Sequence, residues 1–224
     1  MNLNNIFYLL PGIIIGLTVH EFCHALAAYK LGDHTAKDQG RLSFNPIKHI
    51  DIIGFLFIVI AGFGWAKPVQ FNPENLKSPR RDKAIIAAAG PFSNLVLAFI
   101  FVALLRVWMN LPEYFSSFDR DSAERLFSIF YSDTFIKIIQ AVYSAAMINL
   151  GLFIFNLLPL PPLDGSHIVF SGLNLKPETE RNIMKIGMPL LFLIIVVQNR
   201  TEITIIPIGK IVTALLRFLM SVPG

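Results

Sequence analysis

Residues 20–24 read His20-Glu21-Phe22-Cys23-His24, an HExxH. On a helix the two histidines lie about 40° apart in rotation and ~6 Å apart in rise, so both imidazoles can reach one metal ion. Glu21 sits beside them, where it can accept a proton from a water activated by the metal. The chain has five histidines and seven glutamates. Chance assembles an HExxH from that stock in roughly 0.3% of shuffled orders, so the pattern is specific. The two imidazoles and the carboxylate lie in an otherwise apolar stretch, at a cost on the order of several kcal/mol unless something satisfies them. A metal would do so; the plainer alternative is a polar cluster bridging helices. Zinc is the default for two imidazoles plus a carboxylate with an open position.

A catalytic zinc needs a third protein ligand. Asp164 is the best candidate, in Asn156-Leu-Leu-Pro159-Leu-Pro-Pro162-Leu163-Asp164-Gly165. The helix before it must end near Pro159, because further prolines follow at once. Asp164 is expected on the unwound stretch beyond. Asp-Gly is also a common turn, so the local sequence alone leaves a turn aspartate equally open. His167 is a rival ligand, better read as a polar residue opening the next helix. His34 and His49, in a basic loop, read as solvated surface. On a helix, Cys23 points away from the His20–His24 face and reads as small apolar filler.

The elements that would position these groups are hydrophobic. Of 224 residues, 54% are hydrophobic and 15% charged, against about 25% charged in soluble domains. Mean hydropathy is +0.60. This excludes a disordered chain and argues against a water-soluble globule; the solvent is expected to be lipid. One cysteine excludes an intrachain disulfide. Segments 6–29, 84–105 and 138–158 are each long enough to cross a bilayer as a helix. Segment 186–199, with Lys185 snorkelling, is a fourth and shorter candidate. In 203–220, Lys210, Thr213, Arg217 and Ser221 form a stripe, which fits either a span lining a polar interior or a helix lying in the interface.

Residues 52–66 are apolar but too short for an ordinary span. They are rich in β-branched and aromatic residues and punctuated by Gly54, Gly62 and Gly64, which reads as strand and suggests a re-entrant hairpin. Loop charges agree. If 52–66 dips in and returns, loops 30–51, 67–83 and 159–185 share one side with twelve Lys and Arg, against five on the other. If it spans, the bias disappears. The positive-inside rule therefore prefers the re-entrant topology, with the N-terminus outside. The same topology places His24 and Asp164 near the cytosolic ends of their segments. The first segment is not read as a secretory signal, because its positive charges follow the apolar run.

With these residues in hand, the chain resembles the site-2 protease family of intramembrane zinc metalloproteases. The resemblance rests on His20-Glu21-x-x-His24 and Asn156-x-x-Pro159-x-x-x-x-Asp164-Gly165. Gly90-Pro91-x-x-Asn94 and Gly64-Trp65-Ala66-Lys67-Pro68 strengthen it. It implies one zinc per chain held by His20, His24 and Asp164, with Glu21 as general base. It also implies that Asn94 and Asn156 hold the substrate backbone or stabilise the oxyanion; interhelical hydrogen bonding is the alternative for both amides.

The expectation is an α-helical polytopic membrane protein, built as a three-helix catalytic core with a re-entrant β-like hairpin and one or two C-terminal helices. Residues 1–224 would form a single membrane-embedded domain, with the core at about 6–172 and C-terminal helices at about 182–220. No span is expected before the HExxH helix, nor an appended PDZ or nucleotide-sensing domain. The expected partners are the lipid bilayer and a single-span membrane-protein substrate, with no nucleic acid. The expected location is a prokaryotic cell membrane, with the site toward the cytosol. A metal transporter or a non-catalytic scaffold is the competing reading. The intact Glu21 counts against a scaffold, because a structural zinc does not need it.

Overall fold

The computed structural model describes residues 3–61, 64–173, 175–201 and 204–221. Its helices are α1 (Leu3–Lys30), α2 (Thr35–Asp38), α3 (Ile52–Ala61), α4 (Pro79–Phe115), α5 (Arg120–Phe130), α6 (Asp133–Asn156), α7 (Asp164–Leu173), α8 (Pro177–Arg200) and α9 (Ile208–Ser221). Among the described residues α1, α4 and α6 are the helices long and apolar enough to cross a membrane. The fold is that of an α-helical polytopic membrane protein.

Side-chain contacts set the directions of the three spans. On α1, Gly12 faces Ala145 and Gly16 faces Asn149 of α6, so α6 runs parallel to α1. A Cβ on Gly12 would lie 2.7 Å from the Ala145 backbone. This small-residue pair lets two helices approach closely where lipid offers no hydrophobic drive. Against α4 the order reverses: His20 bonds Asn94 and His24 bonds the Ile86 carbonyl, so α4 is antiparallel to α1. The chain therefore leaves α1 and enters α4 on one side. Far from that side, Ala98, Val102 and Leu105 of α4, Ala146 and Leu150 of α6, and Val212 and Leu216 of α9 form the main core. Phe92, Val96, Phe99, Ile100 and Val107 of α4 are exposed, as lipid-facing side chains should be.

The excursion between α1 and α4 is tied down locally. α1 ends in a Schellman turn: Gly32 has φ +105°, and Asp33 N–H reaches back to the Ala28 carbonyl at 2.9 Å. The fully buried Asp33 carboxylate then accepts hydrogen bonds from Thr35 Oγ1 (2.6 Å), Thr35 N, Asn72 N (2.8 Å) and Asn75 Nδ2 (2.7 Å). One carboxylate thus ties the end of α1 to the segment that leads into α4. Pro79 opens α4 at its first turn, where a missing N–H costs nothing.

The structure corrects the expected β-like hairpin. Ile52–Ala61 is helical, and among the described residues the strand character reduces to one isolated antiparallel bridge between Ile50 and Ala66. Gly62 lies outside the described residues. A helix satisfies its backbone hydrogen bonds internally, whereas a hairpin edge at membrane depth would be left without partners. α3 has 10 residues, about 15 Å of helix against ~30 Å of hydrocarbon. It is too short to cross, so the re-entrant excursion remains.

The C-terminal helices also differ in part from expectation. The uncharged stretch 186–199 is the distal part of α8, whose first turns carry Glu178, Glu180 and Arg181. α9 has 14 residues, about 21 Å of helix. It buries Val212 and Leu216, while Lys210 and Arg217 are exposed. Its polar stripe therefore faces outward and does not line an interior. Between α4 and α6, α5 is capped by the Asp119 side chain on Ser122 N–H and buries none of its residues.

Two measurements test this arrangement. In a Cys23→Ser background, cysteines placed at Lys37, Lys77 and Lys176 should label from one face of the membrane, and one at Arg120 from the other. Labelling of 37 and 77 from opposite faces would mean that α3 crosses. Burial pushes the Asp33 carboxyl up, but its hydrogen bonds from Thr35, Asn75 and Asn72 hold it below its ordinary value. A carboxyl depressed in the fold contributes stability above about pH 4 and loses it as the pH falls through the depressed value. Asp33→Ala should cost on the order of 3 kcal/mol in detergent unfolding at pH 7, with the difference shrinking in strong acid.

Candidate metal centre

His20 and His24 lie on consecutive turns of α1, and both are buried. Their Nε2 atoms are 3.0 Å apart. Asp164, the first residue of α7, reaches both: Oδ2 is 3.1 Å from His20 Nε2 and Oδ1 is 3.4 Å from His24 Nε2. All three offer ligand atoms within 4.8 Å of one another. α6 stops at Asn156 because Pro159, Pro161 and Pro162 cannot continue it. The unwound turn that follows delivers Asp164 from across the bundle.

The other ring nitrogens are occupied. His20 Nδ1–H donates to Asn94 Oδ1 at 2.7 Å, and His24 Nδ1–H donates to the Ile86 carbonyl at 2.7 Å. The Asn94 amide is oriented by its own donations, from Nδ2 to the Gly16 carbonyl (3.1 Å) and to Asn149 Oδ1 (3.0 Å). Asn149 is oriented in turn by its Nδ2 on the Ala145 carbonyl at 2.8 Å. This chain of bonds leaves both Nε2 atoms as lone-pair donors facing a carboxylate. Three acceptors in mutual contact repel unless a cation lies among them. Two imidazoles and a carboxylate are the donor set of zinc with an open position, and the hydrogen bonds behind the imidazoles are the usual support for metal-ligating histidine. The residues fit the metal.

Gly90 of α4 makes the approach possible. A Cβ there would lie 2.4 Å from His24 Nε2 and 2.7 Å from His20 Cε1. Any side chain at this position would fill the space where the ligands converge.

Glu21 is buried beside the pair. Its Oε2 accepts the Val69 N–H at 3.1 Å and lies 3.8 Å from Arg41 Nη2. The extended strap that follows α3 reaches the site here, and Trp65, Pro68 and Val69 wall one side of a cleft of about 760 Å³. His20, Glu21, His24 and Asp164 line it with Lys83, Asn156 and His167, and the rest of its wall is apolar, including Ile13 and Leu17 of α1, Leu152 and Phe155 of α6, and Met188 and Leu191 of α8.

The remaining sequence candidates divide. Asn156 lines the cleft, with Nδ2 donating to the Leu152 carbonyl of its own helix at 3.0 Å. Asn94 is fully buried, and both its amide hydrogens and its oxygen serve Gly16, Asn149 and His20. These are the interhelical bonds given as the alternative for this amide, and they orient His20. His167 lines the cleft 3.9 Å from Glu180 and is outside the ligand group, as is Cys23. His34 is exposed, as expected. His49 is fully buried, contrary to expectation, with Nε2 bonded to the Ser43 carbonyl at 2.6 Å. Burial holds its pKa below the ordinary imidazole value. Sequence reasoning missed Asn149, Arg41 and the Val69 amide. Asn149 carried a signal, since an amide in an uncharged span must find a partner. A backbone amide carries none.

A zinc-type donor set at membrane depth, with a glutamate beside it, is the arrangement of a membrane metalloprotease. The profile of peptidase family M50 matches residues 8–194, and the chain belongs to that family, the site-2 proteases, whose members use zinc. It is similar to the "Putative zinc metalloprotease YwhC" of Bacillus subtilis, 44% identical over 163 residues covering 72% of this chain and 67% of that protein. It is also similar to the "Putative zinc metalloprotease Rip2" of Mycolicibacterium smegmatis, 30% identical over 177 residues, and of Mycobacterium tuberculosis, 27% identical over 180 residues. Each of those two alignments covers 77% of this chain and 59% of the relative. No solved structure matches the chain.

Removing the hydrogen bond behind a ligating histidine typically costs 10–100-fold in metal affinity. Asn94→Ala should therefore lose zinc about 10–100-fold more readily in a chelator competition. Asn149→Ala, acting through Asn94, should weaken zinc less. Asp164→Ala and Gly90→Ala should not retain it through purification. Full zinc retention in Asp164→Ala would transfer the third-ligand role to His167.

Proposed function

We propose that this protein is an endopeptidase that cuts a membrane-spanning segment of another protein within the bilayer. Zinc, one per chain, is held by His20, His24 and Asp164, and Glu21 is the general base. The observation that carries this reading is the apolar cleft that ends on these four residues. Its helix side chains suit an apolar segment.

When bound, zinc supplies Lewis acidity, which acidifies a water and polarises the scissile carbonyl. Glu21 accepts the proton from that water at its carboxylate and returns it to the leaving amine. The Val69 amide occupies Oε2, and Oε1, with no hydrogen bond among the described residues, is left to face the reaction. The substrate helix must unwind first, because its carbonyls are closed in i→i−4 bonds. Unwound backbone needs partners that lipid does not supply. The extended strap Gly64–Gln70 and the free Asn156 Oδ1 are the groups lining the cleft that suit this purpose. Segment 52–61 offers no such groups, because α3 already closes its own hydrogen bonds. The excess of Lys and Arg on the loop side supports a site toward the cytosol by the positive-inside rule.

The test is reconstitution with a panel of reporters, each holding one apolar span broken by a central Gly-Pro pair. Wild-type protein should cleave within the span, and Glu21→Gln should lose about 10²–10⁴-fold in rate while retaining zinc. Cleavage confined to the soluble tails of the reporters would overturn the intramembrane reading.

A further inference from the structure

Arg41 is buried to 5% exposure, in the loop that follows α2 and the Gly40 turn. A buried guanidinium is costly unless it is paired and hydrogen-bonded. Among the described residues its one carboxylate partner is Glu21, with Nη2 at 3.8 Å from Oε2. The same Nη2 donates to the Lys67 carbonyl. Its Nε is buried without a partner, so the group is not placed there to complete its own hydrogen bonding. Two residues along the strap from Lys67, the Val69 N–H donates to the same Oε2. One oxygen of Glu21 thus accepts from the Val69 N–H of the strap and faces the Arg41 guanidinium, and Arg41 joins the strap to the carboxylate.

We propose that Arg41 is a positioning residue for catalysis: its buried charge holds the Glu21 carboxylate in the orientation that keeps Oε1 available for proton transfer. The inference rests on Glu21 serving as the base. Arg41 lies outside the candidate ligand group and acts on proton transfer through Glu21. A merely structural Arg41 would act instead by tethering the Lys67 carbonyl, and that tether needs a donor and no charge.

Two substitutions separate these roles in the full chain with the Gly-Pro reporters. Arg41→Gln keeps a donor for the Lys67 carbonyl and removes the charge. Arg41→Lys keeps the charge and loses the planar fork. Positioning predicts that Arg41→Gln lowers kcat about 100-fold, with KM within about twofold and zinc retention as in the wild type. Arg41→Lys should recover at least about tenfold of that loss. Arg41→Gln at the wild-type kcat, recovery by Gln as good as by Lys, or a fall in kcat that tracks loss of zinc would each overturn the proposal. If Arg41→Gln does not fold, Arg41→Lys decides alone: a kcat within about tenfold of wild type at unchanged KM supports positioning, and a larger loss overturns it. Glu21→Gln assayed in parallel separates the two readings. If it is inactive while Arg41→Gln is normal, only the Arg41 inference fails; if it cleaves normally, both fail.

Discussion

His20 can ligate through Nε2 only while Nδ1 holds the proton, and a hydrogen-bond chain through three helices enforces this. The Ala145 carbonyl orients Asn149, Asn149 orients Asn94, and Asn94 accepts from His20. Each member lies at membrane depth, where an unpaired polar group costs on the order of several kcal/mol. The chain therefore closes completely or destabilises the bundle. It demands that α1, α4 and α6 approach within hydrogen-bond reach of one another, and the glycines at 12, 16 and 90 are where the approach is tightest. The helix contacts and the metal centre are consequences of the same constraint.

The candidate ligands come from one continuous helix and one broken one. α1 supplies His20 and His24 from adjacent turns without interruption. The third candidate, Asp164, follows a helix running parallel to α1, and its carboxylate turns back toward His20 and His24. The proline run after Asn156 stops α6 before the site, and α7 begins with Asp164 itself. The side of the bundle toward which α1 and α6 run is closed by loops that would otherwise be free. Asp33 ties the end of α1 to the segment before α4, and the strap lies across the site with Val69 on Glu21. Two buried charges, Asp33 and Arg41, thus organise a surface built largely of loop.

Lipid supplies the remaining boundary. Exposed Phe, Val and Ile side chains along α4 are ordinary for a helix whose solvent is hydrocarbon. The charged first turns of α8 and the short length of α9 set these helices apart from the three spans. α8 nevertheless contributes Met188 and Leu191 to the cleft wall, so the cavity is completed by a helix outside the three-span core.

The HExxH, the helical character of the three spans and the end of α6 were legible in the sequence because each is a local property. Helical periodicity alone puts His20 and His24 on one face, and proline alone stops a helix. Asp164 was legible through order and topology, because loop charge bias required parallel first and third spans. Segment 52–61 was misread because β-branched composition is a weak preference, and at this depth the need to satisfy backbone groups internally outweighs it. The buried state of His49, the part Asn94 plays toward His20, and the roles of Asn149, Arg41 and Val69 were decided only by the tertiary structure. Each depends on which atoms of distant segments come within about 3–4 Å. A sequence states that a buried amide or guanidinium must find a partner, but only the packed chain chooses which one.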